Sequence, residues 1–133
     1  MPEVNLNGCR VLIVEDEYVL AYELHGKLIA LGATVLGPVG TLADALELIS
    51  AESRIDVAVL DVNLRGHSVF PAADLLACRD IPMLFTTGYD VSQFPIRFQN
   101  MPRCEKPMDI ATVTRAICDL VGRSSSPSCR GGS

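Results

Sequence analysis

The chain is short of several things, and each shortage closes a class of function. Its apolar runs are brief, VLIV at 11–14, VAVL at 57–60 and MLF at 83–85, and none approaches the roughly 18–20 residues that cross a bilayer. Membrane insertion is therefore not expected. The first ten residues hold no basic segment followed by an apolar core, so no secretory signal is read there and a cytoplasmic protein is expected. Positive charge is scarce: 11 basic against 16 acidic residues leave a net charge of −5, which disfavours direct binding to a nucleic-acid backbone. Lysine is rarer still, with only Lys27 and Lys106. The five cysteines, Cys9, Cys78, Cys104, Cys118 and Cys129, form no CxxC pair, which argues against zinc or a disulfide framework and for small core or tail residues.

What is there is enough for one domain. The 133 residues are 49% apolar, and short apolar tetrads alternate with stretches whose apolar residues recur at three and four, the pattern of repeated β-α units. Five strands are read at Arg10–Val14, Thr34–Gly37, Val57–Leu60, Met83–Thr86 and Arg103–Glu105. Pro38 and Gly40 are taken to end the second. Helices are read from about Glu17 to Leu31, from a Thr41 cap, from a Ser68 cap to about Cys78, and from Asp109 to Val121. Between Gly88 and Pro102 the period degrades, so a fourth helix there is expected to be short or absent and the stretch irregular and mobile. Residues 1–122 are taken as the folded domain, and 123–133 as a disordered polar tail. Strands one, three and four are apolar throughout, as in a parallel sheet covered on both faces. The expected fold is therefore a doubly wound five-stranded α/β sandwich, whose ligands bind at the carboxyl ends of the strands.

The residues at those ends carry the chemistry. Glu15, Asp16 and Glu17 follow strand one, Asp61 follows strand three, Thr86 and Thr87 follow strand four, and Lys106 and Pro107 follow strand five. Three carboxylates meeting at one edge repel unless a cation neutralises them, and a hard-oxygen set of this kind suits Mg²⁺. An ionised aspartate on such a floor can attack phosphorus. A threonine hydroxyl can donate to the transferred group while a lysine offsets its charge.

With these residues in view, the sequence resembles a bacterial response-regulator receiver domain over residues 9–121. The motifs are VLIVEDE at 11–17, VAVLDVNLRG at 57–66, FTTG at 85–88 and EKP at 105–107. The resemblance implies a flavodoxin-like receiver fold with Asp61 as phosphoacceptor. Asp16, Asp61 and the backbone carbonyl of Asn63 would be Mg²⁺ ligands, Glu15 would act through water, and Thr87 and Lys106 would contact the phosphoryl group. It also implies a cis peptide between Lys106 and Pro107, and as partners a sensor histidine kinase or histidine phosphotransfer protein and a downstream protein target. FTTGY and the FPAAD segment at 70–74 further resemble stand-alone receivers with a Phe-Ala-Thr-Gly signature. The chain departs from the family where an aromatic switch residue usually precedes the lysine, since Arg103 and Cys104 stand there.

Plainer readings stand beside these. Glu17 suits a first helical turn, and His25 and His67 suit solvated positions. Tyr89 serves either to gate water or to anchor its loop. Only one of Thr86 and Thr87 can face the site, because direction alternates along a strand; the family pattern selects Thr87. The function expected is a single-domain response regulator that accepts a phosphoryl group on Asp61, with no enzymatic activity beyond its own phosphorylation and dephosphorylation. Two alternatives remain. A phosphatase of haloacid-dehalogenase type would want a general acid where Asn63 stands, and a receiver-like module would bind a partner without ever being phosphorylated.

Overall fold

A computed structural model describes residues 5–88, 94–107 and 109–124, the side chains of the last two excepted. In chain order the elements are β1 (Arg10–Val14), α1 (Tyr18–Ala30), β2 (Thr34–Val39), α2 (Leu42–Ala51), β3 (Val57–Asp61), β4 (Asn63–Leu64), β5 (His67–Ser68), α3 (Phe70–Cys78), β6 (Met83–Thr87), β7 (Arg103–Glu105) and α4 (Ile110–Ser124). The five longer strands form one sheet in the order β2-β1-β3-β6-β7, with every neighbouring pair parallel. From β1 the chain adds β2 on one side and β3 on the other, so strand order reverses between β1 and β3. In an open parallel sheet that reversal leaves a crevice at the carboxyl ends.

Alternation along the strands divides the core into two layers. Val11, Ile13, Val57, Val59 and Leu84 pack with Leu24 and Leu28 of α1 and Val113 and Ile117 of α4. Leu12, Val14, Ala58, Leu60, Met83 and Phe85 pack with Ala45 and Ile49 of α2 and Ala73 and Leu76 of α3. Burial on both faces accounts for the uninterrupted apolar strands. The second layer also holds all four phenylalanines of the chain. Phe70, Phe85, Phe94 and Phe98 lie with ring centroids 5.3–5.7 Å apart in five pairs.

Thr41 caps α2 as expected, its hydroxyl accepting the N–H of Asp44 at 3.1 Å, and Lys106–Pro107 is cis. Several boundaries differ. Strand β2 runs through Pro38 to Val39, because at an outer strand one side of the backbone has no partner and a missing N–H is tolerated; the pairing of β1 with β2 shifts register there, between Leu12 and Val14. Ser68 does not cap α3. It belongs to β5, its hydroxyl accepts the N–H of Phe70 at 3.1 Å, and Val69 holds the cap position without a side-chain bond. Helix α4 continues to Ser124, past the expected end at Val121 and into the segment read as tail. Cys9 and Cys104 are buried, but Cys78 is exposed at the end of α3 rather than in the core.

The hairpin of β4 and β5 was not read from the sequence. Its two-residue turn places Arg65 and Gly66 at φ 54° and 89°, the geometry of a type I′ turn. Between Gly88 and Pro102, the only regular element among the described residues is a single 3-10 turn at Ile96–Phe98. Residues 89–93, Tyr89 included, and residues 125–133, the remainder of the expected tail, lie outside the described residues.

Candidate functional site

The carboxyl edge of the sheet brings together Glu15, Asp16, Asp61 and Lys106. Glu15 continues β1 and is 5% exposed, while Asp61 closes β3 and is 4% exposed. One carboxylate oxygen from each of Glu15, Asp16 and Asp61 lies within 4.8 Å of the others. Lys106 stands among them, its Nζ 3.0 Å from Asp61 Oδ2, 3.2 Å from Glu15 Oε2 and 3.6 Å from Glu17 Oε1. Glu17 is therefore an outer partner of the lysine as well as the residue before α1. Its backbone N–H donates to Glu15 Oε2 at 3.0 Å.

Loop backbone supplies further donors. Asn63 N–H donates to Asp61 Oδ1 at 3.3 Å, and Gly66 N–H to Asn63 Oδ1 at 2.9 Å. The β4–β5 turn brings Arg65 N–H within 3.1 Å of Asp16 Oδ2, so the hairpin holds this carboxylate. The sequence signal for that contact was the Arg65-Gly66 pair, obscured because asparagine or aspartate is the usual first residue of such a turn. His67 lies exposed in β5.

The site carries more negative charge than one ammonium offsets. Burial pushes the Asp61 carboxyl up to about 8, the hydrogen bond and charge of Glu15 add to that, and Lys106 opposes it. For Lys106, burial lowers proton affinity, but the hydrogen bonds and charges of Asp61 and Glu15 outweigh it and hold the ammonium above its ordinary value. Three converging carboxylates opposed by one lysine make a hard-oxygen donor set with charge to spare, which fits a divalent cation such as Mg²⁺.

Both threonines are buried at the end of β6. Thr87 accepts the N–H of Lys106 at its carbonyl oxygen, 2.8 Å away, which fixes β7 against β6 at the level of the site. The register pairs Asp61 with Thr86, so alternation sets Thr86 on Asp61's face of the sheet and Thr87 on the other. Thr86 Oγ1 has no hydrogen-bond partner among the described residues.

No protein-family model matches the chain. It is similar to the phyllosphere-induced regulator PhyR of Methylorubrum extorquens strain AM1, at 32% identity over 115 residues. That match takes in 80% of this chain but spans only 41% of the regulator. The solution structure of the PhyR response-regulator receiver domain of Erythrobacter litoralis superposes with a TM-score of 0.76 at 26% identity, covering 91% of this chain and 95% of that one. SdrG of Sphingomonas melonis Fr1 is 40% identical, with a TM-score of 0.72 over 85% of this chain and 96% of SdrG. The chain belongs to the response-regulator receiver family. In this receiver domain the acidic residues and the lysine read at the strand ends converge at the carboxyl edge of the sheet. Among the described residues, no helix is long and apolar enough to cross a membrane.

Proposed function

We propose that this receiver accepts a phosphoryl group on Asp61 and signals through contacts with other proteins. The observation that carries the reading is Asp61 itself, a buried carboxylate at a strand end, gripped by Lys106 at 3.0 Å and flanked by Glu15 and Asp16. An Asp61 oxygen attacks phosphorus, the bond from phosphorus to the donor nitrogen or oxygen breaks, and the electron pair leaves with the donor. Lys106 neutralises the incoming charge from the β7 side, and Thr87, although on the opposite face of the sheet from Asp61, ends β6 at the rim of the crevice and donates its hydroxyl to the phosphoryl oxygens, which stand beyond the strand ends. Positioning and charge compensation are the main requirements of such a transfer. Asp16 and Asp61 would hold Mg²⁺ with the Asn63 carbonyl, and Glu15 would act through water; a bound dication offsets the negative charge that carboxylate and phosphoryl oxygens bring together. Beyond this self-phosphorylation and a self-catalysed hydrolysis, no enzymatic role is proposed.

The donor would be a sensor histidine kinase or a histidine phosphotransfer protein. Tyr18, Val19 and Tyr22, on the first turns of α1 next to Glu17, are 80%, 65% and 71% exposed, and an apolar surface beside the phosphoacceptor suits protein contact. The Phe85-Thr86-Thr87-Gly88 segment supports placement with the Phe-Ala-Thr-Gly receivers, and a cytoplasmic location accords with that class. Incubation with Mg²⁺ and a small acyl phosphate should add one hydroxylamine-labile phosphate by intact mass, and chelation of the metal should prevent it. An unlabelled protein would refute the reading, and turnover of a generic phosphate ester would favour a phosphatase.

Metal affinity should depend on pH. Because burial and Glu15 hold a proton on Asp61 up to about pH 8, Mg²⁺ must displace it. Its apparent affinity should then rise from pH 6 toward 8, by at most about tenfold per unit, with proton release. Titration calorimetry in buffers of different ionisation enthalpy measures both, and a flat affinity across that range would contradict the assignment.

A further inference from the structure

Among the described residues, two buried side-chain polar atoms lack partners, Thr86 Oγ1 and Arg103 Nε. The arginine's surroundings account for it. Its guanidinium carbon lies 5.1 Å from the centroid of the Phe94 ring, and another of its nitrogens donates to the Gln99 carbonyl. Nothing comparable accounts for Thr86. It is fully buried at 0% exposure, and its three predecessors in β6 are Met83, Leu84 and Phe85. Valine would fill the same space in such a strand without leaving a hydroxyl unsatisfied.

Its location supplies the reason. Thr86 is the cross-strand neighbour of Asp61, on the same face of the sheet, where neighbouring strands are about 4.8 Å apart. In the unphosphorylated protein both Asp61 oxygens are occupied, Oδ1 by the Asn63 N–H and Oδ2 by Lys106. Phosphorylation changes that balance, because one oxygen becomes bonded to phosphorus and the lysine is drawn to the new negative charge. Hydrolysis then forms a bond from a water oxygen to phosphorus and breaks the bond from phosphorus to Asp61. The electron pair returns to the Asp61 carboxylate, and the water's proton passes to solvent. A donor aimed at that carboxylate stabilises the transition state more than the acyl phosphate, whose carbonyl oxygen carries little charge.

We infer that the Thr86 hydroxyl is this donor, a further residue of the site that takes up the charge returning to Asp61 and so shortens the lifetime of the phosphorylated state. The inference rests on phosphoryl acceptance at Asp61, and the experiment separates the two. Wild type, Thr86→Val and Thr86→Ser are labelled with acyl phosphate and Mg²⁺, freed of donor, and followed by intact mass. Thr86→Val keeps the shape and removes the donor, so its acyl phosphate should persist about tenfold longer, while Thr86→Ser should return to within about twofold of wild type. Equal lifetimes for wild type and Thr86→Val would overturn the inference, as would a serine variant that behaves like valine, since the effect would then be one of shape. Failure of wild type to take label would instead overturn phosphoryl acceptance itself. If Thr86→Val does not fold, Thr86→Ala supplies the donor-free comparison against the same serine rescue.

Discussion

Asp61→Asn will take up no acyl phosphate, and at pH 8 its metal-free form will unfold at a higher temperature than the parent. The first result follows from chemistry, because an amide oxygen is too weak a nucleophile to displace a donor from phosphorus. The second follows from the charge crowded at the crevice. Burial and the neighbouring Glu15 raise the Asp61 carboxyl from 3.8 to about 8 in the fold. A group whose proton affinity rises on folding stabilises the fold fully below its unfolded value and loses that contribution as pH climbs through its folded value. The parent should therefore weaken progressively between about pH 4 and pH 8, the acidic pocket titrating as a unit.

Asparagine imitates the protonated form and has no proton to lose. The two proteins should show similar melting temperatures near pH 4 and diverge as pH rises, with the variant ahead. Lys106 does not cancel this, for its ammonium is held above its ordinary value and stays charged throughout that window. Thermal unfolding at a series of pH values in the presence of a chelator measures the divergence. Parallel curves, or a variant that falls behind at pH 8, would show that the acid is not under strain in the metal-free protein.

Phe98→Ala should be among the most damaging single truncations in the core. Phe98 is 2% exposed, stacks on Phe70 at 5.5 Å and meets Phe85 edge-on at 5.6 Å. Removing a ring from such a site costs about 3–5 kcal/mol, a large part of the roughly 5–15 kcal/mol that holds a domain together. The effect should also be local, because the single 3-10 turn bearing Phe98 is the regular element that docks residues 94–102 on the second core layer. Urea unfolding gives the global loss, and amide exchange should show faster opening at 94–102 than in β1 or β3. Ile96→Ala, two residues away and 86% exposed, should change stability by less than about 0.5 kcal/mol. Similar losses in both variants would mean that the ring cluster does not anchor the segment.

Much of this was legible because strands buried on both faces leave little for a side chain to do except at their ends. The apolar runs at 11–14, 57–60 and 83–85 could only be interior strands, and the polar residues that follow them had to meet at one edge. Asp16, Asp61 and Lys106 could thus be named from sequence and are brought together by the fold. Parity was harder. Whether Thr86 or Thr87 shares a face with Asp61 depends on how β3 and β6 register, which neither strand encodes alone. The β4–β5 hairpin escaped because Arg65 adopts a positive φ more often left to glycine or asparagine. Pro38 marks a strand end in most settings, and only its place on an outer strand let β2 continue. The ring cluster joins residues 70, 85, 94 and 98, a long-range association that no local period announces.

The outer strands bear on how this domain behaves when crowded with its own copies. An exposed strand edge is a row of unpaired backbone groups ready to extend a neighbour's sheet. Here one edge is β2, interrupted by Pro38, which lacks the N–H such an extension needs, and the other is β7, only three residues long. Both borders are poor templates for ribbon-like growth. A highly apolar chain is thereby discouraged from polymerising through its backbone, and the carboxyl rim of the sheet stays clear for its chemistry.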